Sequence, residues 1–422
     1  MKERRKSEKI VAFVMAGGEG KRLHPLTAQR CKPAVPFGAR YRIIDFVLSN
    51  LVNSDIRSIY LLVQYKPQTL IEHIRKAWVI SPLFQDQYVT VVPPEMHQGT
   101  QMFKGTSDAV FQSLRLIELH QPDMVAVFGA DHVYRMDIRQ MIYFHREHKA
   151  DISVAALPVP VESASNFGII DTQADGRIQR FQEKPQQPKP IPTDPKRAYA
   201  SMGNYIFNTD ILVNALIEAN RLGETDFGHH VLPRLLKNHR LFAYDFSTNE
   251  IPGMKRYEEV GYWRDVGTID TYFEAHKDVL GAEPHFDAFN PQWPIYSSNY
   301  QGPVARILGG QVENSLFGAA TVIHKETQIR NCIVRREAVI ETGVQLEDCI
   351  IMDYVRIGRG SRLRRVIVDR HNIIEPNTQL GYDHQQDREQ YHITPAGVVV
   401  VPRGKRSFFA RNSRSHGTGY AE

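Results

Sequence analysis

Three glycines, Gly17, Gly18 and Gly20, follow directly on an apolar run in the segment VAFVMAGGEGKRLHPLT, and Arg22 comes just after them. Backbone without side chains can approach a chain of phosphates closely, and a fixed positive charge beside it offsets the phosphate charge. Two named motifs do not fit. A dinucleotide fingerprint starting at Gly18 needs glycine or alanine where Leu23 stands, and a Walker loop needs Ser or Thr after its lysine, where Arg22 stands. Glycines after a strand also form plain tight turns, so the loop alone leaves phosphate binding and a structural turn both open. The stretch QRCKPAVPF then brings Lys32. A glycine loop with Arg22 and Lys32 near it makes a cradle for a nucleoside triphosphate, whose charge needs both fixed dipoles and cations.

Two acidic residues extend this chemistry. Asp131 follows the apolar run Met124 to Phe128 and Gly129, which places it at the carboxyl end of a strand, where open α/β sheets bind ligands. Asp265 sits in YWRDVGT, between Trp263, Arg264 and Gly267. If the two carboxylates converge, their repulsion favours a shared divalent cation, and Mg²⁺ suits oxygen ligands plus substrate phosphates. Either aspartate alone could equally be a helix cap or a solvated loop residue. Glu183 and Lys184, in RFQEKP, could accept sugar hydroxyls and neutralise a sugar phosphate, or could simply be exposed.

Other features carry less. Asp226, Phe227 and Gly228 spell a kinase motif without the rest of a kinase signature, and read as structural. His229 and His230 are adjacent and poorly placed to share one metal on a helix face. No Ser-His-Asp or nucleophilic cysteine pattern stands out, which argues against a covalent enzyme intermediate.

These residues need a frame. Short β-branched runs alternate with helical patterns over the first part of the chain, the signature of a mostly parallel sheet covered by helices. Strands are expected at Ile10 to Met15, Ile59 to Val63, Val89 to Val92, Met124 to Phe128 and Ile152 to Leu157. Leu70, Ile71, Ile74 and Trp78 keep helical spacing, as do Val110, Leu114 and Ile117 behind a cap at Thr106 or Ser107. GIIDTQADGRIQRF reads as a hairpin turning at Asp175 and Gly176. The prolines between Pro185 and Pro195 make the next segment a surface loop.

From about Gly281 to Gly302 the chain carries Pro284, Pro291 and Pro294 with little periodicity, which suits a linker. Beyond it apolar residues recur every six positions: Val334, Ile340 and Leu346, then Ile351, Ile357 and Leu363, then Val368, Ile374 and Leu380. That period fits a β-helix, each coil burying one such residue per flat face. An antiparallel sandwich is the alternative. The period slips between the sets, which predicts extra loop residues bulging between coils.

At 422 residues two domains are expected, here 1–281, with a linker over 282–302 and a second domain over 303–422. Apolar residues make up 42% and charged residues 23%, which excludes a disordered or collagen-like chain. Much of the net charge of +5 lies at the ends, between Lys2 and Lys9 and between Arg403 and Arg414. No aromatic-basic module accompanies these tails, so nucleic-acid binding is not expected. Cys31, Cys332 and Cys349 form no CxxC pair, and no apolar run has the length of a membrane span or the form of a secretory signal. A cytoplasmic protein with no membrane partner is expected.

Taken together, GGEGKRLHPLT, KPAV at Lys32, GADHVY and the EKP at Glu183 resemble the sugar-nucleotide pyrophosphorylase superfamily. PFGARYRIIDFVLSN, LLVQYKPQTL, GTSDAV, NFGII, ASMGNYIF, YWRDVGT and RLRRVIVDR narrow the resemblance to its bacterial ADP-glucose pyrophosphorylases, over most of the chain. The resemblance implies a Rossmann-like α/β nucleotidyltransferase domain followed by a left-handed parallel β-helix. It also implies a homotetramer under allosteric control, ATP and glucose 1-phosphate as substrates, and a role in supplying the glucosyl donor for glycogen.

By the same resemblance Arg22 and Lys32 match basic residues at the triphosphate, Gln64 an adenine contact, and Asp131 and Asp265 the metal carboxylates. Gly168, Glu183, Lys184 and Ser201 match the glucose 1-phosphate site, where Phe103 replaces a tyrosine of many relatives; near the substrates Glu95 replaces a glutamine. Arg30, Arg42, Arg370 and Arg403 match basic positions of the regulatory site. Gln29 and Pro36 stand where enteric enzymes activated by fructose 1,6-bisphosphate have a lysine and a histidine. The expected effector is therefore another phosphorylated sugar or a pyruvate-type compound. A UDP- or dTDP-sugar pyrophosphorylase, an added acetyltransferase activity in the β-helix and a catalytically silent regulatory subunit are the competing readings. The last would have lost some of Arg22, Lys32, Asp131 or Lys184, all of which are present.

Overall fold

In a computed structural model that describes residues 8–80, 86–94, 102–165 and 167–404, the apolar run Ile10–Ala16 forms a central strand. Its residues alternate between two cores, as a strand buried on both faces requires. Ala12 and Val14 pack with Val47, Leu51, Leu70 and Ile74 on one side, whereas Val11 and Phe13 pack with Val110, Leu212 and Leu216 on the other. Four parallel strands run from the edge inward in the order Tyr88–Val92, Ser58–Val63, Ile10–Ala16 and Met124–Gly129. Arg197–Asn208 then pairs antiparallel with Met124–Gly129, and Ile152–Pro160 antiparallel with it in turn. Leu241–Asp245 closes that side. The expected strands are all present, and the last runs on to Pro160.

Two helical expectations need correction. The helix Gln68–Ala77 buries Leu70, His73 and Ile74, with Trp78 behind them, while Ile71 is 38% exposed. His73 takes the inner position because its Nε2 is bonded to the buried Asp45 carboxylate at 2.6 Å. The second pattern is split into Thr106–Phe111 and Leu114–His120, and neither Thr106 nor Ser107 is the cap. The Thr225 carbonyl accepts from Ser107 N and Asp108 N, and Thr106 Oγ1 donates instead to Asp226. A distant carbonyl thus replaces the local cap.

The hairpin Gly168–Thr172 and Ile178–Glu183 turns at Gly176, whose φ of 82° lies in the left-handed region, and joins the sheet through Tyr199 and Ala200. The proline-rich segment after it carries only an isolated bridge between Ile191 and Asp194. Within 282–302, residues 294–297 are laid along the helix Ile43–Asn53. The Pro294 carbonyl accepts from Asn53 Nδ2, Ser49 Oγ accepts from Tyr296 N, and Asp45 Oδ2 accepts from Ser297 Oγ.

Beyond this segment the strands are two or three residues long and stacked in three sheets, parallel except where His392–Ile393 runs antiparallel to Val399–Val401. The architecture is a β-helix. Val322 pairs with Val339, Val339 with Arg356 and Arg356 with Ile373, a repeat of 17 residues per coil. The slip in the six-residue period is therefore a shortening: two sides advance by six and the third by five, and nothing bulges between the sets from Val334 to Leu380. All three corners turn through left-handed residues. They are Asn314, Asn331, Asp348 and Arg365 at one, Ala320, Glu337, Tyr354 and His371 at the second, and Glu326, Gly343, Gly360 and Asn377 at the third. After Leu380 the chain leaves the stack for the short helix His384–Arg388 and the strand His392–Ile393, and returns at Val399–Val401. Alternation within one sheet sends Val334, Ile351 and Val368 inward, while Ile333, Ile350 and Ile367 pack on Phe46, Tyr272 and Phe273 of the first domain.

Among the described residues no helix is long and apolar enough to cross a membrane. Glu95 lies outside them, as do both charged tails except for residues 8, 9, 403 and 404.

Candidate active site

A cleft of about 870 Å³ opens at the carboxyl ends of the parallel strands. Every residue assigned to catalysis or substrate binding from the sequence lines it: Gly17, Gly18, Gly20, Arg22, Lys32 and Gln64 from the first strands and their loops; Phe103 and Asp131; Gly168, Glu183, Lys184, Ser201 and Asp265. The three glycines follow the strand Ile10–Ala16. At Gly20 the φ of 68° turns the chain into the short 3-10 turn Lys21–Leu23, and a Cβ there would lie 3.1 Å from Thr27 Cγ2 and 3.2 Å from Lys32 Cβ. Around Gly18 a Cβ would meet nothing within 4 Å, so that glycine is open to the cleft.

Asp131 and Asp265 converge although far apart in sequence. The strands His132–Tyr134 and Trp263–Asp265 pair antiparallel, with Asp265 opposite His132. Lys32 Nζ donates to Asp131 Oδ2 at 2.8 Å and to Asp265 Oδ1 at 2.9 Å. Burial by itself pushes the Asp131 carboxyl up; the Lys32 ammonium and His132 outweigh it and hold it well below the usual carboxylate range. Burial likewise disfavours charge on Lys32, and the two aspartates outweigh it and raise its pKa. Oxygens that converge on one ammonium also converge on a position fit for a hard divalent cation. His132 offers a nitrogen within 4.8 Å of oxygens of both aspartates, a neighbour the sequence reading missed. Its place beside Asp131 was the available signal.

The sugar side of the cleft is built by the hairpin and by a bulge. Gly168 stands opposite Glu183 in the register, where a Cβ would come within 2.9 Å of Glu183 Oε2. Lys184 has φ 47°, a left-handed conformation imposed on a non-glycine residue, and its amide donates to the Phe167 carbonyl. Between Ser201 and Tyr205 the strand register shifts, with Gly203 at φ 69°, and this bulge re-aims Ser201 toward the cleft. Phe103 is buried in the core, and its carbonyl accepts from Gln64 Nε2 at 3.3 Å. Gln64 Oε1 is buried with no hydrogen-bond partner. Asp226 and Gly228 also line the cleft, but both Asp226 oxygens are engaged, by Thr106 Oγ1 and by His229 N, which agrees with a structural role.

Arg30, Arg42 and Arg370 gather elsewhere, at the seam between the domains. Arg30 is paired with Asp369, both fully buried, and Arg370 Nε lies 3.2 Å from Asp353 Oδ2. Arg42 Nη1 donates to the Ala34 carbonyl at 3.0 Å, and burial together with Arg370 and Arg335 pushes its pKa down to about 9. Arg335, missed in the sequence, reaches from the β-helix to donate to the Phe37, Gly38 and Tyr41 carbonyls. Arg403 is half-buried, and the next residue, Gly404, donates its amide to the Arg370 carbonyl.

Residues 11–281 match the nucleotidyl transferase family, and residues 304–401 the family described as GlmU-like, C-terminal hexapeptide. A glucose-1-phosphate adenylyltransferase of Thermodesulfovibrio yellowstonii is 54% identical, over 94% of this chain and 97% of its own length. Enzymes of the same name from Thermus thermophilus and Anaeromyxobacter are 45% and 44% identical, over 94% of this chain and 99% of theirs.

Proposed function

The chain belongs to the nucleotidyl transferase family, among its glucose-1-phosphate adenylyltransferases, and we propose that the cleft below the glycine loop is where it joins ATP to glucose 1-phosphate. The products are ADP-glucose, a glucosyl donor for glycogen synthesis, and pyrophosphate. The observation that carries the site assignment is that thirteen residues chosen from scattered sequence segments all line one cleft.

A phosphate oxygen of glucose 1-phosphate attacks the α-phosphorus of ATP in line, and pyrophosphate leaves. No nucleophile from the protein is needed, so the residues position and neutralise. The loop Gly17 to Gly20 carries the triphosphate, with Arg22 and Lys32 as its cations. Gln64, its amide held by the Phe103 carbonyl, keeps Oε1 free to accept from the exocyclic amino group of adenine. Glu183 takes sugar hydroxyls, Lys184 the sugar phosphate, and Ser201 closes the sugar subsite. Asp131 and Asp265 would hold a divalent ion, Mg²⁺ by their oxygen chemistry, which would neutralise phosphate charge when bound.

The seam arginines support a second part of the proposal, that residues 303–422 regulate and assemble the enzyme, as a homotetramer, while 1–281 catalyse and 282–302 connect. Arg30, Arg42, Arg335, Arg336 and Arg370 outnumber the aspartates Asp45, Asp353 and Asp369 that face them. This excess suits a phosphorylated sugar or a pyruvate-type anion. Gln29 and Pro36 favour an effector other than fructose 1,6-bisphosphate.

The deciding assay is pyrophosphate release by the purified chain from glucose 1-phosphate with ATP, UTP or dTTP, with and without a panel of anionic effectors. Activity with ATP is expected. Preference for UTP or dTTP would overturn the adenine assignment, and strong selective activation by fructose 1,6-bisphosphate the effector preference.

A further inference from the structure

Lys32 holds one oxygen of each aspartate assigned to the divalent ion, at 2.8 and 2.9 Å. Its side chain is 7% exposed, against 38% for Asp131 and 31% for Asp265, so the lysine is packed in place beneath carboxylates that face the cleft. An ammonium so placed relieves the repulsion between the two aspartates, the same electrostatic need that draws a divalent cation. The two cations compete for the same oxygens. The lysine also has an alternative anion within reach. Its Cβ lies 3.2 Å from where a Cβ on Gly20 would stand, so its stem rests against the loop assigned to the triphosphate.

We propose that Lys32 is a built-in competitor for the divalent ion. In the free protein it holds Asp131 and Asp265; a triphosphate arriving at the glycine loop draws the ammonium away, and the ion is taken up with the nucleotide and not before it. Departure of pyrophosphate returns the ammonium to the aspartates and loosens the ion. This inference rests on the reading of the cleft as the nucleotide site with Asp131 and Asp265 as the ion's ligands.

Mn²⁺ binding to the full chain without nucleotide, followed by the electron paramagnetic resonance of the free ion, tests it. Lys32→Met should bind Mn²⁺ about tenfold more tightly than the wild type, the effect of removing two partly solvent-screened ion pairs. Arg22→Met, which removes another cleft cation, should give a much smaller gain. A Lys32→Met affinity no tighter than wild type, or a gain equal to that of Arg22→Met, would overturn the proposal. The double variant Lys32→Met with Asp131→Asn separates it from the underlying assignment. If the double variant binds as tightly as Lys32→Met alone, Asp131 is not a ligand and the site reading itself fails. A measurement on the wild type avoids any folding defect: acetic anhydride labelling of Lys32, read by peptide mass spectrometry, should speed up at saturating Mn²⁺. A rate indifferent to the ion would also overturn the proposal.

Discussion

Arg30 and Asp369 join the two domains through an ion pair in which neither side chain is more than 1% exposed. Arg30 Nε is satisfied as well, by the Leu26 carbonyl at 2.9 Å. A buried pair of this kind gains little over a well-packed apolar replacement, but loses heavily when one partner is removed, because the survivor is a desolvated unpaired charge. Asp369→Leu should therefore cost about 3 to 5 kcal/mol of stability. Arg30→Met with Asp369→Leu should cost less than either single change. Urea unfolding of the three variants measures this, and additive losses would refute the coupling.

Gly168→Ala and Gly18→Ala should behave differently. At Gly168 the new methyl must displace Glu183 Oε2, 2.9 Å away, and the ring of Phe181 at 3.2 Å. The KM for glucose 1-phosphate should rise by tenfold or more, the effect of losing about 1.4 kcal/mol of binding, with little change in KM for ATP. Around Gly18 there is open space, so Gly18→Ala should fold as the wild type does and weaken ATP alone. Steady-state kinetics with each substrate varied separates the two.

Asp131→Asn keeps the side-chain shape while removing the charge that Lys32 faces at 2.8 Å. It should fold normally and lose most of its turnover, by roughly 100-fold or more if the carboxylate supports charge in the transition state. Turnover near that of the wild type at saturating Mg²⁺ would remove Asp131 from the metal site.

Acid should weaken the protein in two stages, both rooted at the domain seam. His276 accepts from Gly38 N and donates from Nδ1 to the Tyr272 carbonyl, so it is built in as the neutral ring. Burial, with Arg335 adding to it, pushes its pKa from the ordinary 6.5 down to about 3. The unfolded chain takes up this proton near pH 6.5 and the folded chain does not, so stability is whole above that pH and falls below it by about 1.4 kcal/mol per unit. Burial alone would raise Asp353; Arg335, Arg370 and Arg336 outweigh it and lower its pKa from 3.8 to about 2. Its contribution is present above pH 3.8 and is lost as the pH falls toward 2. Urea midpoints between pH 8 and pH 4 should fall steadily below pH 6.5, and His276→Gln should flatten that slope while lowering the value at pH 8.

Local chemistry made much of this protein legible in one dimension. Glycines after an apolar run, a strand-end aspartate and β-branched alternation depend on backbone sterics and burial periodicity, which act over a few residues, so the strands and the glycine loop could be placed from them. The six-residue period likewise announced a β-helix, because each coil must bury one apolar residue per face. The coil length of 17 residues is there too, in the spacing of Val334, Ile351 and Val368; what the period could not tell was how the slip is made, because the corner at Asp348 turns in one residue fewer where extra bulging residues were expected, as the pairing of Val322, Val339, Arg356 and Ile373 shows.

Contacts between distant segments were decided by the tertiary structure alone. Thr225 supplies a cap that Thr106 and Ser107 lack the position to give, and His73 displaces Ile71 from the inner face because Asp45 waits behind it. The convergence of Asp131 and Asp265 on Lys32 requires two short strands to pair across most of the first domain. The sequence by itself determined which residues could cradle phosphates, and only the folded chain, through its burial and long-range pairing, decided that Lys32 would hold both carboxylates at once.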